Sequence, residues 1–106
     1  MNSSSDQITL QLRFMWVPRV LGGHSGPPWL GMRSMIRWQQ PDAARDRISR
    51  DAQCLTLEYD SATHMGAGTF RLISEIDPKW LEPGHPIVLM HAYRVMAVGI
   101  TAARAA

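Results

Sequence analysis

The sequence is poor in the residues that build covalent cross-links, charged surfaces and membrane spans. Among its 106 residues there is one cysteine, and Asp, Glu, Lys and Arg together make up only 19%. A single cysteine excludes an internal disulfide, and Cys54 is predicted to be a buried structural thiol. No apolar run approaches the roughly 20 residues that a membrane-spanning helix needs. We therefore expect a cytoplasmic protein that makes no contact with membranes.

The chain also lacks the patterns that nucleotide-binding loops, metal centres and hydrolases require. Residues 64–70 contain two glycines, but neither the lysine nor the following helix of a phosphate-binding loop. The four histidines form no HxxxH pair. Ser25 and His24 would point apart in an extended segment, and Glu75 and Asp77 fit an exposed strand face. We predict no catalytic residue, metal, cofactor or bound nucleotide.

What the chain does contain is enough apolar side chain for one hydrophobic core. Apolar residues make up 45% of the sequence, and 106 residues are too few for two ordinary domains. The formal net charge of +2 permits contact with an anionic partner without arguing for one. We expect a flexible tail over residues 1–6 and a single domain over 7–104.

Apolar and polar residues alternate along most of the chain, as they do in strands with one buried face. The clearest case is 7–17, where Ile8, Leu10, Leu12, Phe14 and Trp16 share one side. Six short strands with turn residues between them predict an all-β fold, either a small antiparallel barrel or a sandwich. The other five predicted strands cover 32–39, 54–59, 68–76, 86–91 and 94–101, and the last two form a hairpin.

Two of these strands have an irregular pattern. In 54–59, Leu55, Leu57 and Tyr59 are predicted to face inward together. In 68–76, Phe70, Leu72 and Ile76 share a side that Ser74 interrupts.

Residues 41–53 do not follow the alternation, and we expect a loop or a short helical insertion there. Their three arginines are matched by three aspartates, so the segment has no net charge. That balance favours a solvated face over a phosphate-binding one.

The four tryptophans fall into two groups. Trp16 and Trp38 lie on the apolar faces of their strands, which predicts core positions. Trp29 and Trp80 lie in connections rich in proline and glycine. Such aromatic residues either anchor a partner or close the end of a barrel, and the sequence leaves both open.

Two stretches have a distinctive spacing of glycine, proline and arginine. Gly22–Arg33, "GGHSGPPWLGMR", reads as a long loop that enters a strand, and Met65–Thr101 gives in order a strand, an Asp-Pro turn, a glycine-headed strand, a hairpin and a final "R-x-x-x-x-G" strand. Both stretches resemble the C-terminal domain (domain III) of elongation factor Tu and related translational GTPases. The resemblance implies a six-stranded antiparallel closed β-barrel. Because no GTPase domain or second barrel accompanies it, we expect a free-standing barrel without elongation-factor activity.

In that family the domain contacts the T-stem of aminoacyl-tRNA, packs on the GTPase domain and helps to bind the exchange factor. The turn that contacts tRNA corresponds here to His91 and Ala92, followed by Tyr93 and Arg94, so the family's acidic–glycine–glycine turn is replaced. A glutamine that also contacts tRNA in the family falls at Met35. Both departures weigh against inherited tRNA binding.

These observations predict a non-catalytic binding module that recognises a macromolecule, with a protein favoured over tRNA or another RNA. The expected surface combines the Gly22–Arg33 loop with the last hairpin. If the partner were RNA, the arginines and the tyrosine would supply phosphate and stacking contacts. The candidate contact residues are Trp29, Arg33, Arg37, His91, Tyr93 and Arg94.

Two other hypotheses stay open. In the first, the chain is a structural or assembly subunit that self-associates or docks in a larger complex. Met15 and Val17 lie on the polar side of the first predicted strand, and Met35 lies on that of the second. Such apolar residues on an outer face favour self-association or docking. In the second, an enzyme site is assembled from loops, for which the sequence shows no residue pattern.

Overall fold

Six strands and two short 3₁₀ turns make up the regular structure of residues 7–39 and 48–103, the parts of the chain that the computed structural model describes. The predicted tail at 1–6 lies outside the described residues. The 3₁₀ turns cover Arg19–Leu21 and Pro78–Leu81. The strands are β1 (Ile8–Trp16), β2 (Arg33–Trp38), β3 (Ser49–Asp60), β4 (Met65–Leu72), β5 (Pro86–His91) and β6 (Arg94–Ala102).

The six strands form a closed antiparallel β-barrel, which confirms the predicted fold class. Around the barrel the order is β1, β4, β3, β2, β5 and β6, and β6 pairs with β1 to close it. At the centre of β1, Phe14 lies opposite Gly66 of β4 on one side and Gly99 of β6 on the other. Closure leaves none of these strands with an unpaired edge. The described residues include no helix long and apolar enough to cross a membrane.

The barrel interior is filled by the alternating side chains that the sequence predicts. On β1, Leu10, Leu12, Phe14 and Trp16 are each at most 2% exposed. Phe14 packs edge-on against Phe70, with ring centroids 6.4 Å apart. The core positions predicted for the first and third tryptophans, and for the single cysteine, are confirmed. The other buried apolar residues are Met32, Ile36, Trp38, Ala52, Cys54, Phe70, Leu72, Ile87, Leu89, Met96 and Ala97.

The start of β3 corrects the prediction for residues 41–53. Ser49 to Gln53 are the first residues of a strand and pair with residues 37 to 33 of β2, so a loop or helix was wrong for them. Residues 41–47 lie outside the described part of the chain. The strand escaped detection because only Ala52 among its first five residues is buried. Pairing with β2 therefore determines this part of the strand, rather than its own apolar pattern.

A bulge in β3 corrects a second prediction. The register with β4 shifts between Cys54 and Thr56, which leaves one extra residue, Leu55, on the β3 side. Cys54 is buried before the bulge, whereas Leu57 and Tyr59 pack against the core after it. Leu55 is 39% exposed, so its predicted inward position was wrong.

β4 is shifted relative to its predicted range. It begins at Met65 and ends at Leu72, so Ser74 and Ile76 lie in the connection that follows it. Ile76 still packs against the core from that connection. The apolar spacing therefore identified a core residue but placed it in the wrong element.

The connections between strands gather at two ends of the barrel. The loop end carries residues 17–32, 61–64 and 92–93, which join β1 to β2, β3 to β4 and β5 to β6. The opposite end carries residues 73–85, which join β4 to β5. The two regions predicted to form the binding surface, the Gly22–Arg33 loop and the last hairpin, therefore lie at the same end.

Candidate partner-binding groove

The loop between β1 and β2 is held in place by hydrogen bonds to the barrel. The Trp16 indole N–H donates to the Gly26 carbonyl at 2.8 Å, and the Gly31 amide donates to the Cys54 carbonyl at 2.9 Å. Gly23 lies so close to the end of β1 that a Cβ there would be 1.8 Å from the Val17 carbonyl oxygen. Only glycine allows that approach, so this residue determines the path of the loop.

The His24 ring lies between two tryptophan rings, one in the core and one in the loop. Its ring centroid lies 6.2 Å from that of buried Trp16 and 5.1 Å from that of Trp29. Its Nδ1 accepts a hydrogen bond from the Gly26 amide at 3.1 Å. Trp29 keeps 42% of its surface exposed, so the stack begins in the core and ends in solvent.

The turn between β5 and β6 consists of Ala92 and Tyr93. Ala92 has a φ of 56°, in the left-handed region that favours glycine. This backbone turns the Tyr93 side chain fully into solvent, with 100% of its surface exposed. The Arg94 guanidinium then donates through Nη1 to the Gly23 carbonyl at 3.4 Å, so the hairpin contacts the loop.

Between the loop and the hairpin lies an open groove of about 620 Å³, which we call the loop–hairpin groove. Apolar side chains from both sides line it, and its polar side-chain groups are one guanidinium, two imidazoles and the tyrosine hydroxyl. Of the described residues that line it, none is acidic. The lining residues are Val17, Leu21, Gly22, His24, His91, Ala92, Tyr93, Arg94 and Val95.

Four of the six predicted contact residues lie in or beside this groove. His91, Tyr93 and Arg94 line it, and Trp29 lies beside it, in contact with the His24 ring. Trp29 is distant in the chain from the other three, and closure of the barrel brings them to the same end.

Arg33 lies outside the groove, in an adjoining depression. It lines a smaller depression of about 300 Å³, together with Asp51 and the two methionines at 35 and 90. That depression shares His91 and Ala92 with the loop–hairpin groove. Arg33 therefore lies next to the groove, in a depression that also holds one carboxylate.

Arg37 does not belong to this surface. It lies four residues further along β2, about 13 Å from Arg33 at the usual strand rise, and pairs with Val88 of β5. Its side chain is half-buried, and its Nε has no hydrogen-bond partner within the described part of the chain. We therefore separate Arg37 from the candidate site.

Three groove residues lie outside the loop and hairpin that the sequence predicted: Val17, Leu21 and Val95. Leu21 is 74% exposed in the 3₁₀ turn after β1, and Val95 is half-buried at the start of β6. Single residues of these types carry no distinguishing pattern. The pairing of β1 with β6 brings them together, and no local sequence feature indicates that pairing.

The described residues hold no metal-ligand cluster, and their one thiol is buried outside the groove. Among residues 7–39 and 48–103, no three His, Cys, Asp or Glu side chains lie close enough to hold a metal ion. Burial raises the pKa of the Cys54 thiol, an effect that the hydrogen bond from the Gly31 amide partly opposes. The thiol therefore stays protonated near neutral pH, where it is a poor nucleophile.

Comparison of the chain with protein families, curated proteins and solved structures finds no match. The resemblance to domain III of elongation factor Tu therefore stays a prediction. The function has to be inferred from the groove itself.

Proposed function

We propose that this chain is a non-catalytic, cytoplasmic binding module that recognises a protein partner through the loop–hairpin groove. One observation carries the proposal: the loop and the hairpin meet to display Tyr93 at 100% and Leu21 at 74% exposure beside Arg94. Tyrosine, tryptophan and arginine are the residue types that most often dominate binding energy at protein interfaces. Exposed apolar side chains around a groove gain free energy when a partner covers them.

A protein fits this surface better than RNA does. RNA binding needs several cations along a track, with aromatic rings on which bases stack. The groove offers Arg94 and Tyr93, but its other exposed side chains include aliphatic Leu21, and aliphatic Val20 beside it is 87% exposed. Aliphatic groups are buried favourably against apolar protein surface and gain little beside phosphate.

Affinity capture from a lysate of the source organism tests the proposal, with both protein and RNA recovered. The wild-type chain is compared with Tyr93→Ser and Arg94→Glu, two changes at exposed residues of the β5–β6 hairpin. Arg13→Glu is the matched control, because Arg13 is exposed on the outer face of β1 and its reversal changes net charge equally. We expect a protein that wild type and R13E retain and that both groove variants lose. Capture that is equal for all four chains would contradict the proposal.

A salt titration of tRNA binding separates RNA from protein. Contacts to phosphate release counterions, so affinity for RNA falls steeply as salt rises. We expect tRNA affinity to be absent at low salt or insensitive to salt. Tight binding at low salt that Arg94→Glu abolishes would replace the protein partner with RNA.

One observation favours self-association as a second candidate function. Met65, Met15 and Val98 lie opposite one another on the adjacent strands β4, β1 and β6, and each is 39–49% exposed. Ile100, at 44%, lies two residues further along β6, on the same face. Sedimentation equilibrium tests it, and we expect Met15→Lys to dissociate any oligomer that uses this face. A strict monomer at high concentration would count against it.

A further inference from the structure

We infer that the partner presents to the loop–hairpin groove an acidic segment that carries one large apolar side chain. This inference rests on the proposed function, because it specifies the chemistry of the partner at the same site.

The charges around the groove indicate that the partner is negatively charged. Residues 17–33 contain two arginines and no acidic residue. Across the groove, Arg94 makes its hydrogen bond to the backbone of Gly23, and no carboxylate of the described residues pairs with it. Its remaining guanidinium N–H groups are therefore free to bind a carboxylate, the anion whose geometry they match.

One carboxylate, that of Asp51, lies close to this surface. Asp51 lines the adjoining depression with Arg33, beyond His91. It is not among the residues that line the groove itself. An acidic segment lying across Arg94 therefore meets no opposing carboxylate inside the groove.

The shape and lining of the groove indicate that the partner also carries a large apolar side chain. Val17 and Val95 are half-buried in it, and Leu21 and Tyr93 project beside them into solvent. A volume of about 620 Å³ lies within the roughly 300–1,000 Å³ of typical ligand clefts. One large apolar side chain would cover the apolar lining, while a flanking carboxylate reaches Arg94.

A peptide selection tests this directly. Random heptapeptides displayed on phage are selected on the wild-type chain after depletion on Tyr93→Ser. We expect the enriched peptides to combine an aromatic or leucine residue with flanking Asp or Glu. Enrichment of neutral or basic peptides that still require Tyr93 would overturn the acidic partner and leave the binding module standing.

A charge-reversal pair then separates direct contact from a structural effect. The most enriched peptide is synthesised, together with a version in which Lys replaces each acidic residue. We expect Arg94→Glu to weaken the acidic peptide about tenfold or more and to strengthen the Lys version, with Arg13→Glu changing neither. Equal effects of R94E and R13E, or no gain for the Lys peptide, would overturn the contact with Arg94.

The remaining outcomes distinguish the inference from the function on which it rests. If no peptide is enriched while lysate capture recovers a protein that needs Tyr93, the linear acidic segment is wrong and the binding module stands. If capture also fails, both are wrong. RNA recovered in an Arg94-dependent way, or an oligomer that R94E dissociates, would replace the acidic partner by RNA or by a second copy of the chain.

Discussion

Each end of the barrel has a connection that is rich in proline and glycine and contains one tryptophan, but the two connections differ in charge and in the exposure of that tryptophan. At the loop end, residues 17–33 carry two arginines and no acid, and Trp29 is 42% exposed on a histidine ring. At the opposite end, residues 73–85 carry three acids and one lysine. There Trp80 is half-buried against the core, and its carbonyl accepts a hydrogen bond from the Trp38 indole at 3.0 Å.

The difference teaches that a tryptophan in a Pro/Gly-rich connection has no fixed role. Trp80 closes its end of the barrel, because the segment around it is tied to the core on both sides. The Thr101 hydroxyl donates to the Glu82 carbonyl at 2.6 Å and accepts from the His85 amide at 2.9 Å. The loop around Trp29 is also tied to the barrel, through Gly26 and Gly31, but the Trp29 side chain itself stays 42% exposed and is available for contact. We therefore assign closure to one end and propose recognition at the other.

The largest effect should come from breaking the path of the loop. Gly23→Ala places a methyl group against the Val17 carbonyl, and we expect it to lower the free energy of unfolding by about 3 kcal/mol. Gly26→Ala is the control, since a Cβ there meets no atom within 4 Å. Chemical denaturation measures both, and equal losses would show that Gly23 does not constrain the loop.

A smaller effect should compare the two tryptophans directly. We expect Trp80→Ala to cost about 2 kcal/mol, because the ring packs against the core, and Trp29→Ala to cost about 1 kcal/mol or less. Denaturant unfolding of the two variants gives the difference. If Trp29→Ala were the more costly, the assignment of closure and recognition would be reversed.

Loss of the Thr101 hydroxyl at the opposite end should lower the free energy of unfolding less than loss of Trp80 does. Thr101→Val keeps the shape but leaves the Glu82 carbonyl and the His85 amide without their partner, and we expect a cost of about 1–2 kcal/mol. Thr63→Val, in the exposed β3–β4 turn, is the matched control, because water can replace its hydroxyl. Hydrogen exchange at the His85 amide should accelerate only in the first variant, and unchanged exchange would argue against this attachment.

The smallest effect should be a gain in stability at the turn that displays Tyr93. Ala92→Gly relieves a φ of 56° at the cost of a more flexible unfolded chain, and we expect about 0.5 kcal/mol of stabilisation. Ala67→Gly, within strand β4, should instead destabilise the protein. Thermal unfolding measures both, and a loss of stability in A92G would show that the turn is not strained.

Local sequence patterns predicted much of the barrel because they act over two to ten residues. The alternation from Leu10 to Trp16 determines which face of β1 is buried, and Pro86 to His91 was predicted with its observed bounds. The same rule failed at Leu55, where the bulge changes the side to which following residues point. Alternation also failed to predict the strand at Ser49 to Gln53. This segment contains few apolar residues and becomes a strand because it pairs with β2.

The sequence alone determined the class of fold, the core faces of most strands, and the loop and hairpin as the places to look for a binding surface. Only the tertiary structure decided that these two segments meet, that Val17, Leu21 and Val95 join them, and that Arg37 does not. The physical reason is the closure of the barrel. Pairing of β1 with β6 joins residues more than 70 positions apart, and no local periodicity contains that information.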